Sequence, residues 1–236
     1  AKKFANSFLL SSIQLGRDEV CIIKKWAVPI SSESLAYWFF RLNGFLTIKN
    51  FVVHPEDGGR QRTDVDILGV RFPYRSENIS KPMQDFEAFT KIKDKPFIAF
   101  TEVKQDICNL NGPWTDRAKG NMPRVLRALG ALDKTEVPIA SEQIYDTGVY
   151  YNDTVHISLV CIGVRVQKEL QNTYCEVPQI TWDRVIRFIF RRFNDYRDQK
   201  VDHSQWDAVE SAFGIYQKIV GMKPDFCVHY VKVQHG

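Results

Sequence analysis

Two short stretches decide how this chain is read: Thr-Asp-Val-Asp-Ile-Leu-Gly-Val at residues 63–70 and Phe-Ile-Ala-Phe-Thr-Glu-Val-Lys at residues 97–104. Both have the β-branched and aromatic content of strands, and residues two apart on a strand share a face. Asp64 and Asp66 therefore stand together on the first stretch, and Glu102 and Lys104 on the second. Pro73 closes the first and Pro96 opens the second, positions where proline suits a strand end better than its interior. Antiparallel neighbours pair outward from the segment that joins them. Asp66 lies seven residues before Pro73 and Glu102 six after Pro96, so the two acids are expected within one rung of each other. Three carboxylates and a lysine on one sheet face point to a divalent-metal site, because no apolar core needs such a grouping.

The rest of the chain sets the frame for that site. Its 236 residues are enough for one sizeable core, and a single domain with elaborations is expected over 1–236. With 44% hydrophobic and 25% charged residues the composition is that of an ordinary globular protein. No apolar run approaches the roughly 20 residues that span a bilayer, and the mixed start at 1–12 does not read as an export signal. A cytoplasmic, membrane-free protein is the expectation. The five cysteines, Cys21, Cys108, Cys161, Cys175 and Cys227, lack the close pairs of a zinc ribbon or redox motif and read as reduced thiols. The five histidines are scattered as well, so any metal should be held by oxygen. A net charge of +4 permits a polyanionic partner without requiring one.

Periodicity places the elements. Leu35, Trp38, Phe39 and Leu42 recur at helical spacing behind Ser31 or Ser32 as cap, with Gly44 as the stop, so a helix is expected over 32–43. A β-rich run at 45–54 leads through Pro-Glu-Asp-Gly-Gly at 55–59 into the acidic strand at 63–72, making a hairpin. A polar insert at 73–96 precedes the strand at 97–105. A helix is expected over 115–131, kinked at Pro123 or beginning there. The apolar, β-branched run at 156–166 reads as a central buried strand. Beyond it, helices are expected at 181–196, capped by Thr181, and at 204–220, with a late strand at 226–233 and an early strand candidate at 20–23. The division expected is an N-terminal extension at 1–30, a core at 31–166 and a C-terminal helical elaboration at 167–236.

That order of helix, three antiparallel strands, helix and strand, with Asp on the second strand and Glu-x-Lys on the third, resembles the PD-(D/E)XK nuclease superfamily. The resemblance covers about residues 31–166 and implies an α/β fold with a restriction-endonuclease-like core and added C-terminal helices. Glu-x-Lys alone carries little information; its place mid-strand, after an acidic strand and before a helix, is what gives it weight. The activity implied is a Mg²⁺-dependent endonuclease that hydrolyses DNA phosphodiesters to 5′-phosphate and 3′-hydroxyl ends, with Mn²⁺ able to substitute. The resemblance assigns Asp66, Glu102 and the Val103 carbonyl to the metal. It assigns Lys104 either to the attacking water or to the charge that builds in the transition state, and both roles stay open.

Other residues carry paired readings. Asp64 shares the Asp66 face and is either a further metal ligand or a solvent-facing acid at a strand end. Glu33 matches the position from which the superfamily adds an acid on the first helix, yet it lies nearly opposite the Leu35, Trp38 and Leu42 stripe. It reads equally as a first-turn acid favouring the helix dipole. Arg60 and Arg62, beside Gly58 and Gly59, and Arg124 with Arg127 are the candidate phosphate contacts. Two other functions stand beside the nuclease: a catalytically inactive nuclease-fold module for nucleic-acid binding or assembly, and an unrelated α/β protein with decorative acids. A homodimer or partner subunit is left open.

Overall fold

The computed structural model describes residues 31–54, 63–77 and 82–196. Arg60, Arg62 and the elements expected at 20–23, 204–220 and 226–233 lie outside the described residues.

Helix α1 spans Ser32–Leu42, and Ser31 caps it by accepting the Ser34 amide at 3.2 Å. It ends at Gly44, whose φ of +79° is the left-handed conformation that glycine adopts without penalty. Strands β1 (Leu46–Val53), β2 (Thr63–Arg71) and β3 (Phe97–Val103) follow as an antiparallel meander. The expected helix over 115–131 is instead three short pieces: α2 (Gly112–Thr115), a 3₁₀ turn (Arg117–Lys119) and α3 (Asn121–Leu129). Pro123 falls in the first turn of α3, where its missing N–H breaks no intrahelical bond, so it marks a start and not a kink.

The structure then adds elements that periodicity did not signal. Helix α4 (Glu136–Thr147) buries Val137, Ala140, Ser141, Ile144 and Tyr145. The two small residues in this stripe blunt its apolar contrast. Strand β4 (Val149–Tyr151), the expected central strand β5 (His156–Gly163), helix α5 (Lys168–Thr173) and strand β6 (Gln179–Thr181) lead to helix α6 (Trp182–Asp195). Helix α6 turns Val185, Phe188, Ile189 and Phe193 inward as expected, while Thr181 holds the cap position without a side-chain cap bond.

The strands form a six-stranded mixed sheet in the order β1-β2-β3-β5-β4, with β6 also on β5. The β3–β5 and β5–β6 pairings are parallel and the other three antiparallel. The fold is thus α/β, and its sheet continues past residue 166 through β6.

Alternation along β3 divides the core. Phe97 faces an aromatic cluster in which Phe39, Phe40, Phe45 and Phe89 meet ring to ring, joined by Phe86 from the 73–96 insert and Phe188 from α6. Ile98 and Phe100 face the other side, against Trp114, Met122, Val125, Leu126 and Ile144. Glu102, two residues past Phe100, lies on this second side. No helix among the described residues is long and apolar enough to cross a membrane.

Candidate active site

In the β2–β3 ladder Arg71 pairs with Phe97 and Ile67 with Thr101. The next rung of that register sets Asp66 opposite Glu102, within the one rung that the proline-bracketed spacing predicts. Ile67 and Thr101 are the last backbone pair, however. Beyond them the Val103 amide donates to Asp66 Oδ2 at 2.7 Å. An acid side chain takes the donor that a regular ladder would direct to a strand carbonyl, which ends the pairing and fixes the Asp66 carboxylate between the strand ends.

Glu102 is only 5% exposed, and a buried carboxylate is tolerated only with partners. It has three. Lys104 Nζ donates to Oε1 at 2.6 Å, the Asn111 side-chain amide donates to the same oxygen, and Trp114 Nε1 donates to Oε2 at 2.6 Å. Lys104 also donates to Asn111 Oδ1 at 2.6 Å. The Lys104 backbone is held from two sides, its amide donating to the Ile162 carbonyl at 2.8 Å and its carbonyl accepting Trp182 Nε1 at 2.8 Å. Strand β5 and the first residue of α6 therefore fix where the lysine begins. Glu102 and Asn111 fix where it ends.

Electrostatics ties Asp66 to the same cluster. Its carboxyl is pushed up to about 6, chiefly by burial, against the pull of the Val103 N–H; the nearby charges of Glu102 and Asp64 raise it further and Lys104 lowers it. Carboxylates gathered with too little positive charge behave in this way. The acids at 102 and 64 and the lysine at 104 thus all act on the Asp66 carboxyl. Asp64 itself is exposed, on the rung opposite Val52.

The remaining candidates lie apart. Glu33 accepts the Ser32 hydroxyl at 3.3 Å in the first turn of α1, and α1 packs on the Phe97 side of the sheet, opposite Glu102. That placement matches the first-turn reading. Arg124 Nη1 donates to the Lys119 and Gly120 carbonyls at 2.7 and 2.8 Å, bonds that tie down the turn before α3. Arg127 is exposed. A cavity of about 430 Å³ opens on the Phe97 side, bordered by His156, Cys175 and Arg184, and none of Asp64, Asp66, Glu102 and Lys104 lines it.

Sequence reasoning missed Asn111, Trp114 and Trp182. They sit in a turn, a four-residue helix and a helix start, where no periodicity singles out a side chain. The one available signal was the position of Asn111 and Trp114 just after the acidic strand β3; Trp182 follows β6 and had none.

Among the described residues no three His, Cys, Asp or Glu side chains form a metal-binding group. A cation here would draw on Asp66 and Glu102, completed by backbone carbonyl and water, the oxygen-rich and partly hydrated set that Mg²⁺ favours. Compared with known proteins, the chain matches no family model, no curated protein and no solved structure.

Proposed function

We propose that this chain is a divalent-metal-dependent endonuclease of the PD-(D/E)XK kind, hydrolysing DNA phosphodiesters. The observation that carries this reading is the register that sets Asp66 opposite Glu102, with the Asp66 carboxylate held by the Val103 amide at 2.7 Å and the Lys104 ammonium 2.6 Å from Glu102. Asp66, Glu102 and the Val103 carbonyl would hold Mg²⁺, or Mn²⁺ in its place. Such an ion neutralises charge building on phosphate oxygens and makes a bound water more acidic. The protein's own part is positional. Val103 N–H fixes Asp66, Trp114 and Asn111 fix Glu102, and Lys104 presents a cation at the edge of the same cluster, where a phosphate oxygen or an attacking water can meet it. Asp64 stands on the exposed side of Asp66 as a further acid for the ion's hydration shell. In the superfamily's chemistry the products carry 5′-phosphate and 3′-hydroxyl ends.

A second reading is favoured by one feature. Glu102 already accepts three donors, so most of its lone pairs are engaged. A nuclease-fold module that binds nucleic acid without cutting would keep such a self-satisfied site.

Plasmid incubated with the protein and Mg²⁺ or Mn²⁺ separates the two. The nuclease reading expects cleavage that EDTA abolishes and that Asp66→Ala and Lys104→Ala each reduce by about 10²-fold or more. Binding that survives EDTA, with no cutting in either metal, supports the module. Cutting unaffected by both substitutions overturns the assignment of this site.

A further inference from the structure

The three-way contact among Glu102, Lys104 and Asn111 does more than satisfy a buried acid. Each of the three side chains touches the other two: Lys104 Nζ to Glu102 Oε1 and to Asn111 Oδ1 at 2.6 Å each, and the Asn111 amide nitrogen to Glu102 Oε1. A primary amide suits the third corner because it carries an acceptor and a donor on one carbon, so it faces a cation and an anion at once. Aspartate would offer the acceptor but repel Glu102. Alanine would offer neither.

Asn111 is itself firmly placed. It stands at the cap position of α2 with φ −70° and ψ 162°, and its carbonyl accepts the Trp114 amide at 2.9 Å. Trp114 is buried, stacks on Phe100 with ring centroids 6.3 Å apart, and donates its indole N–H to Glu102. The turn after β3 is thereby locked to the carboxylate it serves. Lys104, by contrast, has a flexible four-carbon stem whose side chain is 22% exposed. With Glu102 as its only partner the ammonium would keep much of its rotamer freedom.

We propose that Asn111 is a positioning residue that aims the Lys104 ammonium, holding it over Glu102 and at the open edge of the site. This deepens the nuclease reading, on which its kinetic consequence rests, while the restraint on Lys104 is measurable without any catalysis.

The test is amine footprinting of the full chain without metal or nucleic acid, using an N-hydroxysuccinimide acetate reagent at fixed pH and reading each lysine by peptide mass spectrometry. In Asn111→Ala, acylation at Lys104 should rise several-fold over wild type. Lys95, held by the Asn152 carbonyl at 2.8 Å and remote in sequence from the turn, should not change. Equal labelling of Lys104 in the two proteins overturns the proposal. Should Asn111→Ala fail to fold, Asn111→Leu, of similar size but with neither acceptor nor donor, carries the test. Lys104 should again label several-fold faster than in wild type, and equal labelling overturns the proposal. In plasmid cleavage, Asn111→Ala should lower kcat by roughly 10- to 100-fold with KM within about twofold, the split expected of lost orientation. An unchanged kcat in an active enzyme also overturns it. A wild-type protein that cuts nothing sinks the nuclease reading instead and leaves the footprint to decide the role of Asn111.

Discussion

At the residue scale the informative group is Asp66, because it is the least comfortable charge in the cluster. Its carboxyl is pushed up to about 6 from an ordinary 3.8, with burial the largest cause. An acid whose folded pKa lies above its unfolded value binds more protons when folded, so its charge costs stability above about pH 6, and that cost fades as pH falls from there toward 3.8. Asp66→Asn keeps an acceptor for the Val103 amide and removes the charge. The metal-free variant should therefore melt above wild type at about pH 8, on the order of 2–4 °C, since solvent screening at a half-buried carboxyl keeps the gain small. The difference should shrink steadily below about pH 6, and thermal melting across that range checks it. A wild type that outmelts the variant at pH 8 would show that Asp66 is stabilised by its neighbours and not strained by them. The same substitution removes a proposed metal ligand, so a gain in stability should accompany a loss of cleavage.

At the scale of elements, the turn after β3 is where the site is assembled, and β5 holds that turn in place. The Cys108 amide donates to the Arg165 carbonyl at 2.8 Å, and Ile107 bridges to Arg165 in parallel. Gly163, the last residue of β5, makes this approach feasible. A Cβ there would lie 2.8 Å from both the Asp106 carbonyl oxygen and the Cys108 nitrogen, backbone atoms that cannot swing aside. Gly163→Ala should destabilise by about 1–3 kcal/mol in urea unfolding. It should also weaken cleavage, because pushing 106–108 away moves Asn111 with them. Full activity in a destabilised variant would separate the turn from the site. Local pattern showed where these elements begin better than where they end. The helix expected over 115–131 is interrupted at Asp116, whose backbone is extended, and at Gly120, whose φ of +59° is left-handed, breaks that apolar periodicity does not encode.

At the scale of the whole molecule, the 73–96 insert is joined to the core through charge as well as aromatic packing. Asp85 accepts Arg71 at 2.8 Å and Arg75 at 2.9 Å on one oxygen and Arg192 at 2.6 Å on the other, linking β2, the insert and α6. Arg192 is 1% exposed, and Glu77 shares it at 3.2 Å. Removing one member of a buried ionic cluster strands the others. Asp85→Ala should accordingly cost about 3–5 kcal/mol, measured by urea unfolding. A loss under about 1 kcal/mol would mean that Glu77 and solvent suffice for the three guanidinium groups. This network was invisible beforehand because Arg71, Asp85 and Arg192 are far apart in the chain and share no pattern. Arg192 reads as one more basic residue on a wet helix face until the fold buries it.

From its sequence alone this chain declares the strands that carry Asp66 and Glu102, their antiparallel pairing, and the approach of the two acids to within one rung. Alternation and proline placement are local constraints, and counting from them brings the register to within one residue; the rung itself is set by the ladder that pairs Ile67 with Thr101. The partners of those acids were settled only by tertiary structure. Asn111 and Trp114 reach Glu102 because the chain leaves β3 and turns into the short helix α2, and Trp182 reaches the Lys104 carbonyl from the start of α6, where β6 ends beside β5. Contacts made across such turns depend on the direction of each bend, which residue spacing does not specify.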